Sequence, residues 1–247
     1  MTTTTLTYRN LNPAKIVETI TRLVRRIDER FPGCSLAKVA RELEQISREA
    51  IVRAESIRRP NRRLRIGIGL FITLVVAVCA TIVAQIRPND DLLQFEHFFQ
   101  SLDSLLASLF LIGATLGFLI TIEVRFKRKR ALQAIHELRA LAHIVDMHQL
   151  TKDPERLAGR GLETESSPKR SMTPFELGRY LDYCGEMLSL ISKIGALYVH
   201  DFPDTVALEA VDQLTSLTNG LARNIWQKIM ILETIIGPAA VASTRCE

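Results

Sequence analysis

The chain has 247 residues, 47% of them hydrophobic, and a formal net charge of +5 with a pI near 9.2. A basic balance suits a nucleic-acid-binding protein, but ten of the 32 lysine and arginine residues flank two apolar segments. The rest of the chain is acidic overall, so we expect no nucleic-acid partner. The four cysteines have no paired spacing, which argues against a disulfide framework or a cysteine-based zinc site.

Residues 1–64 are predicted to form N-terminal helices on the cytoplasmic side of a membrane. Asn12 followed by proline is typical of a helix start, because asparagine caps the first turn and proline suits its first position. Apolar residues at three-four spacing follow, and the helix ends at Gly33. A second helix is predicted from Ser35, with a bend at Pro60, because the residue before a proline resists the helical conformation.

Residues 65–124 contain two apolar segments without charge, at about 66–86 and 104–122. At a rise of about 1.5 Å per helical residue, these segments would span about 31 and 28 Å. The hydrocarbon core of a bilayer is about 30 Å thick. The sequence therefore predicts a two-span transmembrane helical hairpin.

The charges beside the two segments predict their orientation. Five arginines precede the first segment and five basic residues follow the second, whereas residues 87–103 contain one basic residue and four acidic ones. Lysine and arginine close to a span are retained in the cytoplasm, so both termini are expected inside and the short loop outside. We expect an integral membrane protein, with a bacterial inner membrane as the favoured location because the exterior is so short.

Small residues mark one face of each segment. Gly113 and Gly117 have the small-xxx-small spacing that lets helix backbones approach closely in lipid. Thr73, Ala77 and Thr81 form a comparable ridge on the first segment. All five are predicted helix-packing positions, either within the hairpin or between copies of the chain.

Glu123 is the acidic residue at the inner end of the second segment. A ring of such carboxylates in an oligomer would concentrate cations at a pore mouth, so Glu123 is a candidate pore-mouth residue. The alternative is an ion pair with Lys127, one helical turn away. Neither segment has a charge at its centre, where coupled transporters usually place one, which argues against a transporter.

The cytoplasmic region after the second segment is also predicted to be helical. No helix breaker occurs from 103 to 150, so one helix of about 45 residues is expected there. Thr173, Pro174 and Glu176 form a capping box with proline at the first position. The predicted parts are a juxtamembrane helix (125–150), a mobile linker (151–172), a C-terminal helical hairpin (173–236) and a tail (237–247).

The two C-terminal helices are apolar over more than one stripe. They are therefore predicted to pack on each other and on a further partner, which is either the juxtamembrane helices or another copy of the chain. Leu181, Leu188 and Leu221 lie on these stripes, and Trp226 is the only tryptophan. These four residues are the predicted contacts for self-association or for a cytoplasmic protein partner.

Together these features predict an all-α, non-enzymatic membrane protein that acts as a helical assembly or scaffold module in the lipid bilayer. No cofactor is expected, because the sequence has no phosphate-binding glycine loop or nucleotide motif. One alternative is an oligomeric channel whose pore is lined by small hydroxyl residues. Another is a membrane-bound metal hydrolase, although no zinc-binding motif is present and no metal is expected. The residues considered were Thr73, Thr81, Ser104, Ser108 and Thr115 for the channel, and His143, Asp146 and His148 for the hydrolase.

Overall fold

A computed structural model describes residues 11–59, 62–85, 95–155, 165 and 172–243. Within these residues the chain forms six helices and no strand, so the predicted all-α fold is confirmed. The helices are α1 (Pro13–Arg30), α2 (Ser35–Arg58), α3 (Arg62–Gln85), α4 (Phe95–Leu150), α5 (Pro174–Leu197) and α6 (Thr205–Ser243).

The helices belong to two compact units. One unit comprises Met1–Arg58 and Arg130–Glu247 and is called the bundle unit below. The other comprises Arg59–Lys129 and is called the apolar unit. The bundle unit thus contains α1, α2, the last part of α4, α5 and α6.

Local signals place α1 and α2 as the sequence predicts. The Asn12 side chain accepts hydrogen bonds from the backbone N–H groups of Ala14 and Lys15, at 3.0 and 3.3 Å. Gly33 has a φ of 73°, a left-handed conformation that a residue with a Cβ adopts only at a cost, and it turns the chain from α1 into α2. The apolar side chains of α1 that enter the core are Ile16, Ile20, Leu23, Val24 and Ile27.

Helix α5 forms the centre of the bundle unit. Its predicted capping box is present: the Thr173 hydroxyl accepts from the Glu176 N–H, and the Glu176 carboxylate accepts from the Thr173 N–H. Half of its 24 residues are buried, on more than one side of the helix. It packs on α1, α2 and α6, which explains why its sequence is apolar beyond a single stripe.

The last part of α4 completes the bundle. Leu138 is fully buried, and its side chain packs on α5 at Gly195. Arg139 donates to the Gln213 side chain at 3.0 Å, and the Lys228 ammonium donates to the Gln149 carbonyl at 2.8 Å. The second bond lies further along both helices than the first, so α4 and α6 run in the same direction.

The close approach of α5 and α6 depends on Gly195. A Cβ added at this position would lie 2.8 Å from a terminal methyl of Leu214 and 3.8 Å from one of Leu138. Both leucines are fully buried. Glycine therefore lets side chains of α4 and α6 meet over the α5 backbone.

Two predicted boundaries differ from the structure. Helix α6 continues to Ser243, whereas the sequence predicts an end at Ile236 before Gly237-Pro238. Proline inside a helix removes one backbone hydrogen bond and its ring crowds the preceding turn, which kinks or ends most helices. In α6 the helix continues past Pro238, where the alanines that follow favour helix. Helix α4 begins at Phe95 rather than near residue 103. The predicted bend at Pro60, residue 86 of the first predicted span and residues 87–94 of the predicted outer loop lie outside the described residues. So do most of the predicted linker and residues 244–247 of the predicted tail.

Among the described residues, helix α4 contains one stretch that is long and apolar enough to cross a membrane. This stretch is Leu106–Leu150, with a mean hydropathy of 2.0 in its most apolar window. In α3 the described apolar part, Ile66–Val78, is shorter. The described residues therefore give one candidate span, and a second span remains a prediction.

Candidate association surfaces

Two of the predicted partner contacts lie in the core of the chain itself. Leu181 and Leu188 are both 0% exposed, and they pack within the cluster formed by α1, α2, α4, α5 and α6. Leu221 is partly buried against the same core. The prediction that Leu181 and Leu188 contact another molecule is wrong, because a residue without exposed surface offers nothing to a partner. Their apolar spacing reflects intramolecular packing.

Trp226, the fourth predicted contact, lies on the surface of α6. Its residue is 60% exposed, and Met230, one turn later, is 45% exposed. Both belong to a line of exposed residues at alternating four- and three-residue spacing, which we call the outer stripe of α6. The outer stripe consists of Asn219, Arg223, Trp226, Met230, Glu233 and Gly237.

The other residues of the outer stripe were not identified from the sequence. The signal was present, because residues spaced by four and three share one helix face. It was hidden because the stripe combines polar, charged and apolar residues, whereas the buried face of α6 is apolar. The buried face, with Ala207, Leu214, Ile225 and Leu232, gave the stronger pattern.

The apolar unit exposes large side chains along both of its helices. Phe110 is 79% exposed, Leu70 and Leu111 are each 68% exposed, and Leu109 is 66% exposed. Contiguous apolar surface of this kind is rare on proteins that are surrounded by water, and it marks a membrane or protein interaction surface.

Threonine hydroxyls in the apolar unit bond to their own helices. Thr73 donates to the Gly69 carbonyl at 2.9 Å, and Thr115 donates to the Leu111 carbonyl at 2.8 Å. Thr81 and Thr121 make the equivalent bond at 2.8 Å to the carbonyl three residues earlier. A hydroxyl that donates a hydrogen bond within its own helix needs no bond to water. Polar groups in the hydrocarbon core of a membrane must be bonded in this way, because no water is present there.

The predicted small-residue positions lie on exposed faces. Gly113, Gly117, Thr73, Ala77 and Thr81 are all exposed. A Cβ added at either Gly113 or Gly117 would meet no atom within 4 Å. In the described part of the chain no atom packs closely on either glycine, and the packing role of these five residues stays a prediction.

Glu123 forms the ion pair that the sequence offered as an alternative to a pore mouth. Its carboxylate lies 3.0 Å from the Lys127 ammonium, and the two side chains are 16% and 18% exposed. The pore-mouth role stays a prediction.

The histidines considered for a metal site do not come together. His148 donates from its ring to the Ile144 carbonyl at 2.8 Å, one turn back on the same helix. Among the described residues, no group of three or more histidine, cysteine, aspartate or glutamate side chains could hold a metal ion. His143, Asp146 and His148 therefore form no metal-binding geometry.

A polar cluster joins three helices of the bundle unit. The Arg53 guanidinium on α2 pairs with Glu49 on the same helix, at 2.8 Å, and with Glu137 on α4. The hydrogen bond to Glu137 raises the pKa of Arg53. Tyr198, which follows α5, is 1% exposed, and burial raises the pKa of its phenol to about 12. Arg53 therefore stays protonated and Tyr198 stays neutral near pH 7, so these two residues fix the helices in place rather than moving protons.

A cleft of about 400 Å³ lies at the end of the bundle unit where α2 ends and α5 turns into α6. Its floor includes Ile57 and Leu197, and at its edge the Arg58 guanidinium lies 3.8 Å from the Asp201 carboxylate. No hydrogen bond joins a nucleophile to a base among the described residues that line the cleft.

Comparison with protein-family models, with curated proteins and with solved structures gives no match to this chain. Functional inference therefore depends on the surfaces described above.

Proposed function

We propose that the chain is a non-enzymatic integral membrane protein that acts as a helical assembly module by self-association. Two spans, at about 66–86 and 104–122, would anchor it with both termini in the cytoplasm, in keeping with the ten basic residues that flank them. The bundle unit would then lie on the cytoplasmic side of a cell membrane, for which a bacterial inner membrane is our expectation.

The observation that carries this proposal is the uncovered apolar surface of the apolar unit. Side chains such as Leu70 and Phe110 are largely exposed, and the hydroxyls beside them are already satisfied. Transfer of apolar surface from water is worth about 25 cal/mol per Å², so several such side chains represent many kcal/mol that lipid would supply. A lipid environment suits both the exposed apolar side chains and the hydroxyls that are hydrogen-bonded within their own helices.

Self-association is proposed because the bundle unit is complete without a partner while two surfaces remain uncovered. The core positions, including Leu181 and Leu188, are filled by the chain's own helices. The exposed glycines on α4 and the outer stripe of α6 are not filled. In lipid, exposed small residues favour close contact between helices of neighbouring copies.

Native mass spectrometry of the full-length protein released from lipid nanodiscs tests the proposal. We expect a defined oligomer, and we expect the double variant Gly113→Leu, Gly117→Leu to shift the distribution towards monomer. Gly67→Leu is the matched control, because Gly67 also lies in an apolar helix with no atom within 4 Å of an added Cβ. A monomer at every protein-to-lipid ratio would contradict self-association.

Membrane topology is tested separately by labelling single cysteines with a membrane-impermeant maleimide. A cysteine placed in residues 87–94 should be labelled from outside intact cells, and Cys246 should be labelled only after lysis. Labelling of both positions from the same side would contradict the two-span hairpin.

A further inference from the structure

The charges on the outer stripe of α6 are arranged so that two antiparallel copies of the stripe would place opposite charges against each other. Its six residues extend over 18 helical steps, or about 27 Å. Trp226 and Met230 stand in the middle, Arg223 lies three residues before Trp226, and Glu233 lies three residues after Met230. Read backwards, the stripe keeps its two large apolar residues in the middle and exchanges the positions of its basic and acidic residues.

The two charged residues of the stripe have no ion-pair partner in the described part of the chain. Both Arg223 and Glu233 are exposed. They are ten residues apart, about 15 Å along the helix, so they cannot pair with each other. A partner for each therefore has to come from outside this α6.

We propose that a second copy of this chain packs on the outer stripe, with the two α6 helices antiparallel about a two-fold axis at Lys228. In an antiparallel pair of identical helices, the two residue numbers of every facing pair add up to the same value. The register centred at Lys228 places Trp226 against Met230 of the second copy and Arg223 against Glu233 of the second copy. The two-fold axis makes each contact occur twice.

Charge decides between this register and a parallel one. Parallel helices in register would place Arg223 against Arg223 and Glu233 against Glu233, so both charged layers would repel. The antiparallel register turns both layers into ion pairs at the rim of a Trp–Met centre, where the thioether sulfur favours the indole ring. Asn219 then faces Gly237, and an added Cβ at Gly237 would meet nothing within 4 Å, so the second helix can approach there.

This inference rests on the proposed self-association and adds a second contact to it. Because α6 runs in the same direction as α4, an antiparallel α6 pair also makes the two α4 helices antiparallel, so this contact is separate from the glycine contact within one bilayer. The test is a charge exchange in the full-length protein, with the dimer dissociation constant measured in detergent micelles, where two copies can meet in either orientation. Arg223→Glu alone and Glu233→Arg alone should each raise the dissociation constant at least tenfold, because each places like charges together twice. The double exchange should restore it to within about threefold of the unmodified protein.

Mixing the two single variants tests whether the charged residues of one copy face those of the other. A copy with Arg223→Glu carries two acidic residues on the stripe, and a copy with Glu233→Arg carries two basic ones. The antiparallel register predicts that the two variants form a heterodimer while neither forms a homodimer. Lys38→Glu, a charge reversal at an exposed residue of α2, is the matched control and should leave the dissociation constant unchanged.

Cysteine pairs test the geometry directly. After replacement of Cys34, Cys79 and Cys246 by serine, Trp226→Cys and Met230→Cys proteins should crosslink with each other and not with themselves. Crosslinking of Trp226→Cys with itself would overturn the register in favour of a parallel pair. A dimer that forms in micelles but not within one bilayer supports the register and assigns the contact to copies in facing membranes.

The two proposals fail in different ways. An oligomer that ignores every change on the stripe but loses its stoichiometry with Gly113→Leu, Gly117→Leu would overturn the α6 contact and leave self-association intact. A protein that is monomeric under all conditions would overturn both.

Discussion

Truncating Leu188 and Trp226 to alanine should have different effects on stability. The sequence predicts that both residues contact a partner, whereas the structure buries Leu188 and exposes Trp226. Leu188 is fully buried, so Leu188→Ala loses the transfer free energy of its removed carbons, about 2 kcal/mol, plus a cavity term. We expect a total loss of about 3 to 5 kcal/mol in the free energy of unfolding. Trp226 is 60% exposed, so Trp226→Ala should change the free energy of unfolding of one copy by less than about 1 kcal/mol.

The Cys184 thiol provides the assay. Cys184 is 0% exposed at the centre of the bundle unit, and burial raises the pKa of its thiol to about 12, so it should react only when the bundle opens. When opening and closing are fast, the labelling rate follows the open population, and about 1.4 kcal/mol corresponds to a tenfold change. Leu188→Ala should therefore accelerate labelling by at least about 100-fold, and Trp226→Ala by less than about fivefold.

The measurement uses full-length protein in nanodiscs, with the other three cysteines replaced by serine. Equal acceleration by both truncations would refute the assignment of Leu188 to the core and Trp226 to the surface. So would a Leu188→Ala protein whose Cys184 reacts as slowly as before.

Three further predictions follow from named contacts. Gly195→Ala should be less stable than the matched control Gly185→Ala by about 1 to 3 kcal/mol, since only the former meets a neighbouring methyl; equal unfolding midpoints would contradict this. The stability of the bundle should fall as pH rises from about 9 towards 12, because the raised pKa of Cys184 favours the protonated thiol in the folded state. Cys184→Ala should flatten the pH profile, and an unchanged slope would exclude that thiol as the cause. Reconstituted protein should show no ion conductance, and a conductance that Glu123→Gln alters would favour the channel alternative.

Helix starts could be predicted from the sequence because their causes are local. The Asn12 cap and the Thr173 capping box depend on hydrogen bonds that reach no further than three residues, so a few letters contain the whole cause. The end of α6 was not predictable in the same way. Pro238 costs one hydrogen bond, and whether the helix survives that cost depends on residues on both sides of it.

The identity of a packing partner is not a local property. The spacing of Leu181 and Leu188 showed that their face is covered but gave no sign of what covers it, and the answer lies in α1, α2 and α4, which are distant in sequence. The exposed state of Trp226 likewise became visible only once the buried face of α6 was known. The sequence therefore identified one of the six residues of the outer stripe, Trp226, and missed its charged neighbours.

During synthesis, α1 and α2 are made long before α5, the helix that packs on both of them. Arg26 on α1 pairs with Glu186 on α5, which lies 160 residues later in the chain. At about 5 to 20 residues per second, α1 and α2 would wait about 10 to 30 s for the helix that covers them. During that interval Ile20 and Leu23, both fully buried in the finished fold, have no α5 to shield them. A nascent or truncated chain that stops before α5 should accordingly be a substrate for chaperones and proteases.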